Sequence, residues 1–181
     1  MIEVLFFCSA GKTIGFGHLR RLASISQAIR KTSLKKSLIV RPDPQLGELP
    51  SELKSAFASY HKLDLIRALT NRLNPFILIV DDYRINKSEL RFLESMRDNT
   101  PIVFIDDGLT PIAKNTKICI QPNPRSKAPK IDGTTLSGLK FVPVNPTISR
   151  TTTEKSNAHI LITMGGSDSL GNTSALARNL A

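Results

Sequence analysis

Ile2-Glu3-Val4-Leu5-Phe6-Phe7 leads through a short loop into Ile14-Gly15-Phe16-Gly17-His18-Leu19-Arg20-Arg21. An apolar run of strand length, a glycine turn and the start of an amphipathic segment make a strand–turn–helix unit of an α/β sheet. Glycine lacks a Cβ and tolerates positive φ, so Gly15 and Gly17 let the backbone turn sharply and approach a ligand. His18, at the mouth of the helix, feels the positive end of the macrodipole, which disfavours imidazolium. A neutral imidazole can take a proton from water. The same residues also fit an ordinary first helical turn beside a structural turn, and local sequence leaves both roles open.

Outward from this unit, apolar runs alternate with helical periodicity. Strands are expected at 2–7, 37–40, 76–80, 101–105 and 116–120. Helices are expected at 18–31, 53–57, 63–73 and 87–97, the last capped by Asn86 or Ser88. Residues 121–138, rich in proline and basic side chains, read as irregular, and 139–142 as a brief apolar run. A new strand at 159–163 and a helix from Asn172 follow a polar stretch. The expected organisation is a Rossmann-like, mostly parallel domain over 1–144, a linker at 145–157, and the start of a second, nucleotide-binding domain at 158–181.

Composition narrows the classes. The 181 residues are 40% hydrophobic and 22% charged, as in a folded globular chain. No run reaches the length of a membrane span and Met1-Ile2-Glu3 is not a basic leader, so a cytoplasmic protein without membrane contact is expected. Cys8 and Cys119 lie inside apolar runs, as reduced buried thiols do. His18, His61 and His159 are scattered, and no Cys/His cluster has zinc-ligand spacing, so neither metal nor cofactor is expected. The formal net charge of +10 is dispersed rather than interleaved with aromatics. That points to a solvated basic surface or a field for an anionic small molecule more than to nucleic acid. The sequence leaves the oligomeric state open.

In open parallel sheets, ligands bind beyond the carboxyl ends of the strands. Here those ends carry His18, Asp81-Asp82-Tyr83, Asp106-Asp107-Gly108 and Gly165-Gly166-Ser167-Asp168. Each acidic pair alone also fits a turn or helix cap. The glycine run, with Asn172 opening the next helix, suits a phosphate or a tight turn equally well. Two nucleotide motifs fail. Ala10-Gly11-Lys12-Thr13 has Phe6 where a P-loop needs its first glycine, and Gly15-Phe16-Gly17 has Arg20 where the dinucleotide fingerprint needs its third.

Several pieces occur in the right order for a known family: Ile14-Gly15-Phe16-Gly17-His18 with Arg21, Asp81-Asp82-Tyr83, Ile105-Asp106-Asp107, 138–143, and 161–168 with Asn172. Together they resemble the UDP-sugar hydrolases of pseudaminic acid biosynthesis, which act on a UDP-linked diacetamido-trideoxy-altropyranose, and the spore-coat polysaccharide proteins similar to them. The resemblance implies the first domain of a GT-B architecture, and hydrolysis at the anomeric carbon of a UDP-sugar. It implies His18 as the base that activates water, and Gly15, Gly17, Arg21, Asp82, Tyr83, Asp106 and Asp107 at the sugar. It sets Gly165, Gly166, Ser167, Asp168 and Asn172 against the diphosphate. The chain departs from the family at Phe7 and Ser9, where the family carries an Arg and an Asp. Because much of the family's uridine-binding domain would follow Ala181, the 181 residues alone are expected to be inactive or very weak. A GT-B glycosyltransferase and a non-catalytic sugar-nucleotide-binding homologue are the competing expectations.

Overall fold

The computed structural model describes residues 2–29, 34–43, 47–70, 75–96, 100–108, 111–123, 128–146 and 172–180. The expected linker beyond Pro146, the strand at 159–163 and the glycine run at 165–168 lie outside the described residues.

Seven strands pair in one sheet, every pair parallel. In chain order they are β1 (Ile2–Ser9), β2 (Leu34–Arg41), β3 (Ser59–Lys62), β4 (Ile77–Asp81), β5 (Ile102–Ile105), β6 (Ile118–Gln121) and β7 (Thr134–Ser137). Their spatial order is β3-β2-β1-β4-β5-β6-β7. The chain winds outward from β1 to β3, returns to β4 on the other side of β1, and winds outward again. The reversal between β1 and β4 is a topological switch point, where open α/β sheets form their crevice.

The central strands are apolar on both faces, as a sheet covered by helices requires. One core cluster joins Val4, Phe6, Cys8 and Ile79 to helix α1 (Gly17–Ala28) and the one-turn helix α2 (Ser51–Lys54). The other joins Leu5, Phe7, Leu78 and Val80 to α3 (Leu65–Thr70) and α4 (Lys87–Ser95). Residue parity along a strand therefore decides which pair of helices a side chain meets. A fully buried core residue such as Phe6 or Leu22 contributes about 1.5–3 kcal/mol relative to exposure.

Helix α2 and strand β6 each start two residues from the expected bounds, and three strands differ more. Strand β2 begins at Leu34, before the apolar run, because its first residues pair with β1 from Ile2 onward. Lys35 is accommodated by an ion pair to Glu3 at 3.2 Å, and Lys36 Nζ donates to the carbonyls of Ser26 and Ile29 at the C-terminal end of α1. A cation there also complements the helix dipole. Strand β3 is not among the expected strands, and β7 falls in the stretch read as irregular. Both are edge strands of four residues with mixed exposure, so neither carries an apolar signal. Gly133 leads into β7 so close to β6 that a Cβ would lie 2.2 Å from the Lys117 carbonyl oxygen. After β7, Leu139–Phe141 forms a single 3-10 turn. Helix α5 (Asn172–Leu180) begins where the sequence placed a helix. Among the described residues no helix is long and apolar enough to cross a membrane.

Candidate active site

The loop after β1 closes on itself before α1 begins. Gly15 N–H donates to the Gly11 carbonyl at 2.7 Å, and Gly15 takes φ of 86°. A β-carbon would be strained at that angle, so the glycine is needed there. At Gly11 a Cβ would lie 2.9 Å from the Asp43 carboxylate, which would have to swing aside. Gly17 starts α1 with nothing within 4 Å of where a Cβ would stand, so open space faces it. Among the described residues no side chain caps this helix end, and His18 is its second residue.

His18 meets the end of β4. Its Nδ1 lies 2.7 Å from Asp81 Oδ1. The guanidinium of Arg21, one turn along α1, forks between two carboxylates. Nε and one terminal nitrogen donate to Asp81 at 2.8 and 2.7 Å, and the other terminal nitrogen donates to both oxygens of Asp107 at 2.7 and 2.8 Å. Burial works against the Arg21 charge, but the bonds to Asp107 and Asp81 outweigh it and hold the guanidinium more firmly protonated than usual.

This arrangement favours one imidazole tautomer. A bare Nδ1 at 2.7 Å from a carboxylate oxygen would oppose two lone pairs, so Nδ1 carries the proton and donates to Asp81. The Arg21 terminal nitrogen that donates to Asp81 Oδ1 also lies 3.0 Å from Nδ1. The lone pair is left on Nε2, which has no hydrogen-bond partner among the described residues. The Tyr83 ring lies against the imidazole, with centroids 5.1 Å apart and a 44° tilt. At 47% exposure it presents its outer face to solvent.

Parity sorts the acidic pairs. Asp81 shares the α1 face with Ile79, and Asp107 shares it with Val103 and Ile105. Asp82 and Asp106 point the other way. Asp82 is buried, accepting from Ser9 Oγ at 2.8 Å, Arg41 Nε at 3.0 Å and the Arg84 N–H at 2.8 Å. Asp106 is buried too, accepting from the Gly108 N–H at 2.8 Å and Gln121 Nε2 at 3.0 Å. Of the residues expected at the sugar, Gly15, Gly17, Arg21, Tyr83 and Asp107 gather around His18, whereas Asp82 and Asp106 sit behind the edge. Asn172 is exposed at the start of α5.

Sequence reasoning had no role for Asp81 as the His18 partner, for Arg41 or for Glu89. The alternation of β4 carried the signal for Asp81, since Asp81 and Ile79 must share a face. Arg41 lies 5.2 Å over the Phe7 ring and donates to Glu89 at 2.8 and 3.0 Å. Burial opposes its charge, and the bonds to Glu89 and Asp82 raise its pKa regardless. Cys8, between the two carboxylate clusters, is held protonated by burial and by Asp81 and Asp82. Beyond Arg21, between α1, α2 and the segment after the 3-10 turn, lies a cavity of about 390 Å³ lined by Arg20, Ser24, Gln27, Leu53 and Val144. Its size is in the range of small-molecule clefts. Among the described residues no group of His, Cys, Asp and Glu could hold a metal ion.

No protein-family model, curated protein or solved structure matches the chain.

Proposed function

We propose that this chain supplies the base and the sugar-contacting face of a UDP-sugar hydrolase with GT-B architecture. The observation that carries the reading is the His18–Asp81 hydrogen bond at the switch point, with Nε2 unpartnered among the described residues and Tyr83 against the ring. A carboxylate on Nδ1 orients the ring and stabilises the imidazolium formed when Nε2 accepts a proton. In the proposed step, Nε2 takes a proton from water as its oxygen bonds to the anomeric carbon. The bond from that carbon to the diphosphate oxygen breaks, and its electron pair leaves with UDP.

Electrostatics supports the division of labour. Arg21 and Arg41 stand against Asp81, Asp82, Asp107 and Glu89, so these two clusters together carry more carboxylates than guanidiniums in a chain of formal charge +10. A carboxylate-rich cluster beside His18 favours the positive charge that develops on a sugar ring as its anomeric bond breaks. It does not favour a diphosphate. The phosphates therefore belong against backbone N–H groups, the role assigned to Gly165, Gly166, Ser167 and Asp168 with Asn172. Tyr83 would pack on the sugar, and the diacetamido-trideoxy sugars of surface-polysaccharide and nonulosonic acid synthesis are the class implied.

The test is UDP release from such a UDP-sugar without an acceptor, comparing the full-length wild type with its His18→Ala and Asp81→Asn variants. Loss of turnover in both variants supports the proposal. Equal turnover in wild type and His18→Ala removes His18 from the reaction. Turnover only when an acceptor is added identifies a glycosyltransferase instead, and binding without turnover identifies a sugar-nucleotide-binding homologue.

A further inference from the structure

On the side of the sheet away from α1, one guanidinium holds both ends of the segment that presents Tyr83. Asp82 precedes that segment, and its carboxylate is pinned at both oxygens. Oδ2 accepts from Ser9 Oγ at 2.8 Å and Arg41 Nε at 3.0 Å, while Oδ1 accepts from the Arg84 N–H at 2.8 Å. The last bond folds the chain around Tyr83 in an Asx-type turn. Asn86 ends the segment and caps α4, its Oδ1 accepting from the Ser88 and Glu89 N–H groups at 2.9 and 3.0 Å. Glu89 completes the capping box by accepting from the Asn86 N–H at 3.0 Å. That same carboxylate accepts two bonds from the terminal nitrogens of Arg41. Phe7 forms the floor under the guanidinium, and Ile85 plugs the segment into the core.

We propose that Arg41 is the clasp of the Tyr83 segment, a positioning residue that fixes Tyr83 against His18 without touching either. The inference rests on the reading of His18 and Tyr83 as the reacting site. Three features carry it. The planar fork is spent on the residues that flank the segment, Asp82 and Glu89, as bidentate geometry allows and a lysine could not reproduce. The partners are almost fully buried, with side-chain exposures of 0% for Asp82 and 3% for Glu89. And β1 holds the fork in place, with Ser9 Oγ 3.2 Å from Nε and the Phe7 ring 5.2 Å from the guanidinium carbon.

The test is the nuclear Overhauser contact between the Tyr83 and His18 rings, measured on the 181-residue chain alongside UDP-sugar turnover. Arg41→Lys keeps a cation between the carboxylates and should stay folded, yet it should lose most of that contact. Turnover should fall about 10- to 100-fold through kcat with little change in KM, the scale of a misplacement of about 1 Å. Arg41→Met should do the same more severely if it folds. Phe57→Leu, on the opposite face, should leave the contact intact and so separates positioning from general destabilisation. Wild-type Tyr83–His18 contacts in Arg41→Lys would overturn the clasp. A wild-type chain with the contact, and UDP release that His18→Ala leaves unchanged, would instead remove His18 from the reaction and leave the clasp standing.

Discussion

Two arginines stand at the same edge of the sheet, each between two carboxylates, and they do different things. Arg21 joins Asp81 and Asp107 on the α1 face, beside His18. Arg41 joins Asp82 and Glu89 on the α4 face, over Phe7. The Arg21 group opens outward: the Asp107 side chain is 42% exposed and Nε2 of His18 has no partner among the described residues. The Arg41 group is closed, and every carboxylate oxygen in it accepts a hydrogen bond. Chemically similar clusters thus separate into one that opens outward and one that is closed. What divides them is a single step along the chain at the end of β4, from Asp81 to Asp82.

Substitutions should break this comparison in opposite ways. The largest effect expected is on turnover: His18→Ala should lower kcat by about 10²- to 10⁴-fold, with the urea midpoint nearly unchanged. Arg41→Met leaves two buried carboxylates without their cation and should cost about 3–5 kcal/mol of stability in urea unfolding. Arg21→Met should cost less, because Asp107 keeps solvent, while its loss of turnover should approach that of His18→Ala. If Arg21→Met proves the more destabilising of the two, the assignment of open and closed clusters is reversed. Asn86→Ala removes the α4 cap and should cost about 1 kcal/mol in the same assay.

The last effect is confined to alkaline solution, a pH dependence of the core. Burial, aided by Asp106, pushes the Cys119 thiol from 9.0 up to about 12, and burial with Asp81 and Asp82 raises Cys8 in the same direction. An acid whose folded pKa is raised contributes its full stability below the unfolded value and loses it as pH rises toward the folded one. Stability should therefore decline from about pH 9 toward 12, less steeply in Cys119→Val. A urea midpoint equally steep in that variant above pH 9 contradicts this source of the decline.

The sheet was legible where apolar runs were long. β1, β4 and β5, with the helices after β1 and β4, were expected close to where they stand, because burial on both faces leaves an unbroken hydrophobic signature. Edge strands β3 and β7 escaped because they bury little and their sequences alternate weakly. The site was legible as to edge but not as to face. His18, expected as the base, stands with Arg21, Tyr83 and Asp107, three of the residues that the resemblance sets at the sugar. Asp81 needed the parity of β4 to be told from Asp82. Arg41 and Glu89 form a pair 48 residues apart, and no local pattern announces such a bond.

The most direct measurement is the tautomer of His18, read from the two ring nitrogen-15 shifts at a pH where the imidazole is neutral. The account predicts a protonated Nδ1 and a bare Nε2, with that preference lost in Asp81→Asn. A proton on Nε2 in the wild type would contradict it, since a ring in that form has no lone pair facing the cleft and cannot take a proton from water there.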